Sequence, residues 1–204
     1  VLAILPLTGP AAFVGDELRN GMHIAMDSSS TTLDIVFEDS QSSGQGAVSA
    51  LNQKLLNARP DVILTVMSSV SMALAPIAER VNVPLIGLVV TTPKFVSQND
   101  WTFKLFNSAS DEVGALIPAI RARKTRRLGV LYVVDDFGSS VLDQFKQHAS
   151  ELRAEIIEEQ FLPGDMDFSA QLLRLKGKGV DGLYVVGFDT HLKTAFRQAH
   201  DLGL

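Results

Sequence analysis

Five hydroxyl side chains stand where short apolar runs give way to loops rich in Gly, Pro, Ser and Thr. Thr8 follows the run 1–5, Ser68 and Ser69 follow 62–66, and Thr91 and Thr92 follow 85–88. In an open parallel sheet, ligands lie outside the carboxyl ends of the strands, so these five residues are expected on one rim. No His or carboxylate sits beside them in those loops to take a proton, and no Gly-x-Ser-x-Gly elbow occurs in the chain. Such a rim suits holding a small polar group, not breaking a bond.

The other chemistry-bearing residues point the same way. There is no Cys, which removes thiolate zinc sites, redox pairs and Cys nucleophiles together. Of the four His, His23, His148 and His200 fall in helical stretches at no metal-binding spacing. His191 reads as a solvated residue at a helix start, with the border of a ligand cleft as its other reading. Glu38-Asp39 invites an acid–base pair, but charges at a strand end more commonly face water or hold a loop. Asp135-Asp136 has the look of a helix start, where the dipole favours acids. Gly177, Gly179 and Gly182 spell Gly-x-Gly-x-x-Gly, yet they precede a strand instead of following one, so no dinucleotide site is implied. Arg121, Arg123, Lys124, Arg126 and Arg127 form the one basic run and read as a solvated helix end, with docking to a partner as the alternative. No metal and no cofactor are expected, and no enzymatic activity.

Positioning these residues requires a sizeable core, and 204 residues with 46% hydrophobic content can build one. The net charge of −5 argues against a nucleic-acid partner, because phosphate binding needs clustered positive charge. Apolar runs are of strand length, far short of the roughly 20 residues a membrane span needs. Strands are predicted near 1–5, 34–38, 62–67, 85–89, 102–106, 128–134, 155–161 and 181–186. Helices are predicted near 14–28, 45–58, 70–80, 110–122, 138–153, 168–177 and 190–202. Ala47, Leu51, Leu55 and Ala58 show the three- and four-residue spacing of one helix face. This alternation predicts βαβ units and parallel sheets.

The second half repeats the first. The run 1–5 with its Gly9 loop corresponds to 128–134 with its Gly138 loop, 33–38 to 154–159, and 61–66 to 181–186. The repeat predicts two similar doubly wound α/β lobes, residues 1–108 and 109–204, and two such lobes make a cleft suited to a small ligand.

The string Leu5-Pro6-Leu7-Thr8-Gly9-Pro10, then Gly15-Asp16 and Gly21, resembles the opening of type I periplasmic solute-binding proteins of ABC importers, the Leu/Ile/Val-binding branch in particular. Glu38-Asp39, Met67-Ser68-Ser69-Val70-Ser71, Val83-Pro84-Leu85-Ile86 and Thr91-Thr92-Pro93 continue the resemblance. So do Asp136-Phe137-Gly138, Asp167-Phe168-Ser169 with Leu172 and Leu175, and Gly187-Phe188. The resemblance covers the whole chain; each motif is weak and their order makes it specific. It implies a Venus-flytrap receptor that takes a small carboxylate-bearing solute, a branched-chain amino acid or an apolar or aromatic acid, and delivers it to a membrane ABC permease. It also implies a periplasmic or extracellular location, with lipid anchoring left open.

Carried over onto this sequence, Ser69 and Thr91 would bind the carboxylate, with Ser68, Val90 and Thr92 beside them and backbone groups near Val70 and Val89 helping. Thr8 would shape the first turn or touch the ligand. Phe137 and Phe188 stand where relatives commonly carry a cleft-lining Tyr, which makes the pocket more apolar. Ser69 and Thr91 can also be read as cap and turn residues, and the two Phe as core. Relatives are longer and pass between their lobes three times, so the second lobe is expected to be partial, and the acid that pairs with an amino acid's ammonium group is expected in the remainder. A sensor or envelope-interaction domain of the same fold is the alternative function; a Rossmann-like enzyme is a further one.

Overall fold

The computed structural model describes residues 1–30 and 32–204. The chain forms two compact units, Val1–Asn107 and Ser108–Leu204. The first contains β1 (Leu2–Leu5), α1 (Ala12–Asp27), β2 (Val36–Asp39), α2 (Gly44–Leu55), β3 (Ile63–Thr65), α3 (Ser68–Val81), β4 (Leu85–Gly87), α4 (Lys94–Ser97) and β5 (Thr102–Lys104). The second contains α5 (Ala109–Ala122), β6 (Arg127–Val133), α6 (Asp136–Gln147), α7 (Ala149–Leu152), β7 (Glu155–Phe161), α8 (Ser169–Gly177), β8 (Gly182–Val186) and α9 (Asp189–Asp201).

The first unit's sheet has the order β2-β1-β3-β4-β5 and the second's has β7-β6-β8. Every pairing is parallel. In each unit the first strand lies between the second and third: Leu2 pairs with Val36 and Ile63, and Leu128 with Ile156 and Gly182. The sequence repeat is therefore a repeat of strand order.

Period-two alternation sends successive side chains to opposite faces of a strand, and here both faces are covered by helices. Leu2 and Ile4 pack with Leu51 of α2 and Val70 and Leu74 of α3, whereas Ala3 and Leu5 pack toward Val14, Leu18 and Met22 of α1. In the second unit Leu128 and Val130 meet Val113 of α5 and Val141 and Phe145 of α6; Leu131 and Val133 meet Phe168, Leu172 and Ala195 on the other side. Burial on both faces is why these strands read as continuous apolar runs.

All eight predicted strands are present, and two helical expectations change. The single helix predicted over 138–153 is two, because His148 leaves the helical backbone region at φ −92, ψ 5 and caps α6 while starting α7. Short α4 has no periodic signal long enough to predict it. The apolar face predicted for 45–58 is used up to Leu55; Ala58 lies beyond the end of α2 and is exposed.

Ser40, just after β2, carries the one buried side-chain polar atom without a hydrogen-bond partner among the described residues. A buried unsatisfied group costs about 1–3 kcal/mol, while an apolar replacement of similar shape is neutral or better. Ser40→Ala should therefore leave stability unchanged or raise it by about 1 kcal/mol, read from the urea midpoint. A loss above that size would mean that the hydroxyl has a partner such as water.

Candidate functional site

Hydrogen bonds that continue the β3–β4 pairing past the strand ends build the first part of the site. Leu88 N–H donates to Thr65 C=O at 2.9 Å, and Met67 N–H donates to Val89 C=O at 3.1 Å. This lacing carries the chain to Thr91, whose N–H donates to Ser68 Oγ at 3.3 Å. The two hydroxyls, Ser68 Oγ and Thr91 Oγ1, lie 3.3 Å apart. Beneath them Ser71 Oγ donates to Thr65 Oγ1 at 3.2 Å, and both of those residues are fully buried.

Met67 joins β3 to α3 with φ +71 and ψ +134. A bulky residue at positive φ is strained, by about 1–3 kcal/mol, and such strain persists where surrounding bonds fix it. Here its N–H is held by Val89, and its C=O accepts from Ser71 N–H at 2.9 Å. Met67 supplies no side-chain cap, so the first-turn N–H groups of α3 are left for other acceptors. By contrast, Ser43 caps α2 by accepting from Gly46 N–H at 3.0 Å.

A count of hydroxyl protons shows what this arrangement can do. Between Ser68 and Thr91 one hydroxyl donates to the other, which leaves one O–H to offer outward. Ser69, half-buried on the first turn of α3, adds a second hydroxyl, and the helix dipole adds positive potential. Two O–H donors beside an uncapped helix start have the chemistry to hold an oxyanion. Thr92 is buried and its C=O accepts from Phe95 N–H at 3.4 Å. The Val90 side chain is fully buried in the core with Phe95, so only its backbone can serve a ligand.

Thr8 is exposed at the end of neighbouring β1, and its hydroxyl is spent on Asp39, donating to Oδ2 at 2.6 Å. Asp39 Oδ1 also accepts from the N–H groups of Leu7, Thr8 and Gln41 at 2.9, 3.1 and 2.7 Å. Burial pushes this carboxyl up, but the hydrogen bonds outweigh it and hold the group below the usual carboxylate range. Asp39 thus holds a loop, and Glu38 forms an ion pair with Lys54 at 2.7 Å.

In the second unit, Phe137 after β6 and Phe188 after β8 follow adjacent strands. Their ring centroids are 6.1 Å apart with planes tilted by 38°, and both rings are half-buried. Asp135 caps α6 by accepting from Gly138 N–H at 2.8 Å, and its burial raises its pKa. The solvated reading of His191 is overturned. It is 2% exposed, because Phe161 and Phe168 close around its ring at 5.0 and 6.2 Å. The basic residues 121, 123, 124, 126 and 127 are all exposed.

Residues 1–204 match the family model described as "Periplasmic binding protein". The chain belongs to that family. It is 28% identical over 213 residues to the Leu/Ile/Val-binding protein BraC3 of Rhizobium johnstonii, which covers 98% of this chain and 57% of the relative. The crystal structure of the leucine-binding protein LivK of Thermotoga maritima superposes with a TM-score of 0.93 at 26% identity, covering all of this chain and 60% of LivK. A solute-binding protein of an ABC transporter from Rhodopseudomonas palustris, solved with 3,4-dihydroxybenzoic acid, superposes with a TM-score of 0.87 at 18% identity. That match covers 99% of this chain and 58% of the other. The fold is thus that of a type I periplasmic binding protein, and the chain spans a little over half the length of these relatives.

Sequence reasoning missed the strained turn at Met67 and the lacing of the Thr91 loop onto Ser68. Strain of this kind leaves no mark in composition, and Ser68 was visible only as one of two adjacent hydroxyls.

Proposed function

We propose that the chain is the solute-capturing part of an extracytoplasmic binding protein, taking a small acid with an apolar body and passing it to an ABC importer. The carrying observation is the pairing of Ser68 with Thr91 beside the uncapped start of α3, with Ser69 one residue further on. The carboxylate belongs there, and in the second unit Phe137 and Phe188 offer an apolar surface to a ligand. Family membership supports the role. The likeness to a leucine-binding protein makes branched-chain amino acids the first candidates, and the two Phe rings make aromatic and aliphatic acids the next.

Thermal unfolding of the purified protein tests this. Leucine, isoleucine, valine, benzoate and octanoate are compared with glucose and spermidine. A ligand at a hundred times its Kd stabilises by about 2.7 kcal/mol, which moves Tm by several degrees. At least one of the acids should do so. A shift with glucose or spermidine and with none of the acids would sink the assignment.

A further inference from the structure

The buried His191 lies beyond the reading above and is used by none of it. Its two ring nitrogens join two separate pieces of chain. Nδ1 accepts from Phe188 N–H at 3.2 Å, and Nε2 donates to the C=O of Pro163 at 3.1 Å. The first bond fixes the tautomer: Nδ1 is bare and Nε2 carries the proton. Phe188 is the N-cap of α9 and its ring can accept no capping bond, so His191 reaching back from the first turn is what ties the N-cap down. Room for that reach comes from Gly187, where a Cβ would lie 3.0 Å from His191 Cβ and 3.1 Å from Nδ1.

The segment between β7 and α8 is held from the same helix. Two turns beyond His191, Gln198 accepts from Phe168 N–H at 2.8 Å and donates to Met166 C=O at 3.3 Å. Helix α9 therefore fastens this segment at two points and Phe188 at a third, with His191 common to the first and last.

We propose that His191 is a positioning residue for Phe188, acting only as the neutral imidazole, and that ligand retention weakens when it is protonated. This rests on the reading of Phe188 as a ligand contact. Protonation removes the acceptor for Phe188 N–H and places a cation among the rings of Phe161, Phe168 and Phe188. Burial holds the His191 pKa below its usual value, against the opposing effects of the Pro163 carbonyl and Asp165. The charge-free form is thus the folded form, so the position is fully held above pH 6.5 and is lost as pH falls through a lower value.

Other charges lie on the neighbouring elements. Asp165 lies in the connecting segment, and Asp167 there accepts from Ser169 Oγ at 2.6 Å. Asp189 on α9 pairs with Lys193 at 2.7 Å, Glu159 on β7 pairs with Arg174 and Lys178, and Asp135 caps the helix that carries Phe137. Strand β8 carries no charged residue. A control that removes only the His titration is therefore needed.

His191→Asn supplies that control, since its side-chain oxygen can accept from Phe188 N–H without titrating. His191→Phe removes the acceptor. Two measurements are made on wild type and both variants between pH 5 and 7.5: hydrogen exchange at the Phe188 amide, and the Kd for L-leucine. In wild type, Phe188 protection should fall on acidification, and leucine affinity with it by up to about tenfold per pH unit once His191 charges. His191→Asn should keep the protection and flatten both profiles. His191→Phe should lack the protection at pH 7.5. Protection retained in His191→Phe, or matching pH profiles for wild type and His191→Asn, would overturn the proposal. Should leucine fail to bind wild type at any pH, that counts against leucine as the ligand, while amide exchange still decides the role of His191.

Discussion

Thr91→Val should weaken binding of the acid by about ten- to a hundredfold and leave the fold intact. Losing a hydrogen bond to a charged group costs about 1.5–3 kcal/mol, which is that range of Kd. Val matches Thr in shape, and Thr91 N–H keeps its bond to Ser68 Oγ, so the loop stays laced to α3. What changes is where the outward O–H can sit. Ser68 Oγ and Thr91 Oγ1, 3.3 Å apart, have one O–H between them to offer outward, and Thr91 can present it; in the variant only Ser68, still accepting from Thr91 N–H, can donate, and only from its own position. Calorimetry on leucine and on a matched aliphatic acid reads the effect. Both should weaken alike, because both ligands offer the same carboxylate. Phe188→Ala should instead separate ligands by the size of their apolar body. An unchanged Kd in Thr91→Val would make the Ser68–Thr91 pair a loop brace and nothing more.

The two-unit architecture was legible because strands covered on both faces must be apolar throughout. Leu2, Ala3, Ile4 and Leu5 are all buried, and so are Leu128, Val130, Leu131 and Val133. The rim was legible for a topological reason: Thr8, Ser68 and Thr91 follow β1, β3 and β4, which are neighbours in one parallel sheet. Details that depend on long-range bonds were not. Sequence places Thr8 among the hydroxyls, but only the fold brings Asp39 to within 2.6 Å to take its proton. His191 looked solvated because a His opening a helix beside Asp and Thr has a polar neighbourhood in sequence. Its surroundings come instead from Phe161 and Phe168, more than twenty residues away. The repeat also assigned Gly9 as the counterpart of Gly138. Gly9 makes a turn at φ +88, while the close helix-to-strand approach seen at Gly138 belongs in the first unit to Gly15.

That approach sets the other large effect. Gly138→Ala should destabilise the second unit by about 2 kcal/mol or more. A Cβ there would lie 1.9 Å from the Val133 carbonyl oxygen and 2.9 Å from its carbon. Both are backbone atoms, so no rotamer change relieves the clash, and the start of α6 must move off the end of β6. Helix propensity works the other way, since Ala is favoured over Gly by about 1 kcal/mol in a helix interior. Overpacking costs about 1–3 kcal/mol when flexible side chains can yield, and rigid backbone puts this position at or beyond the upper end. Moving α6 also strains the bond from Gly138 N–H to Asp135 and shifts Phe137, so ligand affinity should fall with stability. Gly15→Ala should behave alike in the first unit, where the Cβ would meet the Pro6 carbonyl oxygen at 2.2 Å. Gly21→Ala is the contrast: nothing lies within 4 Å of a Cβ there, and the substitution within α1 should stabilise by roughly 0.5–1 kcal/mol. Urea unfolding of the three variants, followed by hydrogen exchange in each unit, separates the two signs. A Gly138→Ala protein as stable as wild type would show that α6 can lift away from β6 without loss, and that the contact is no requirement of the fold.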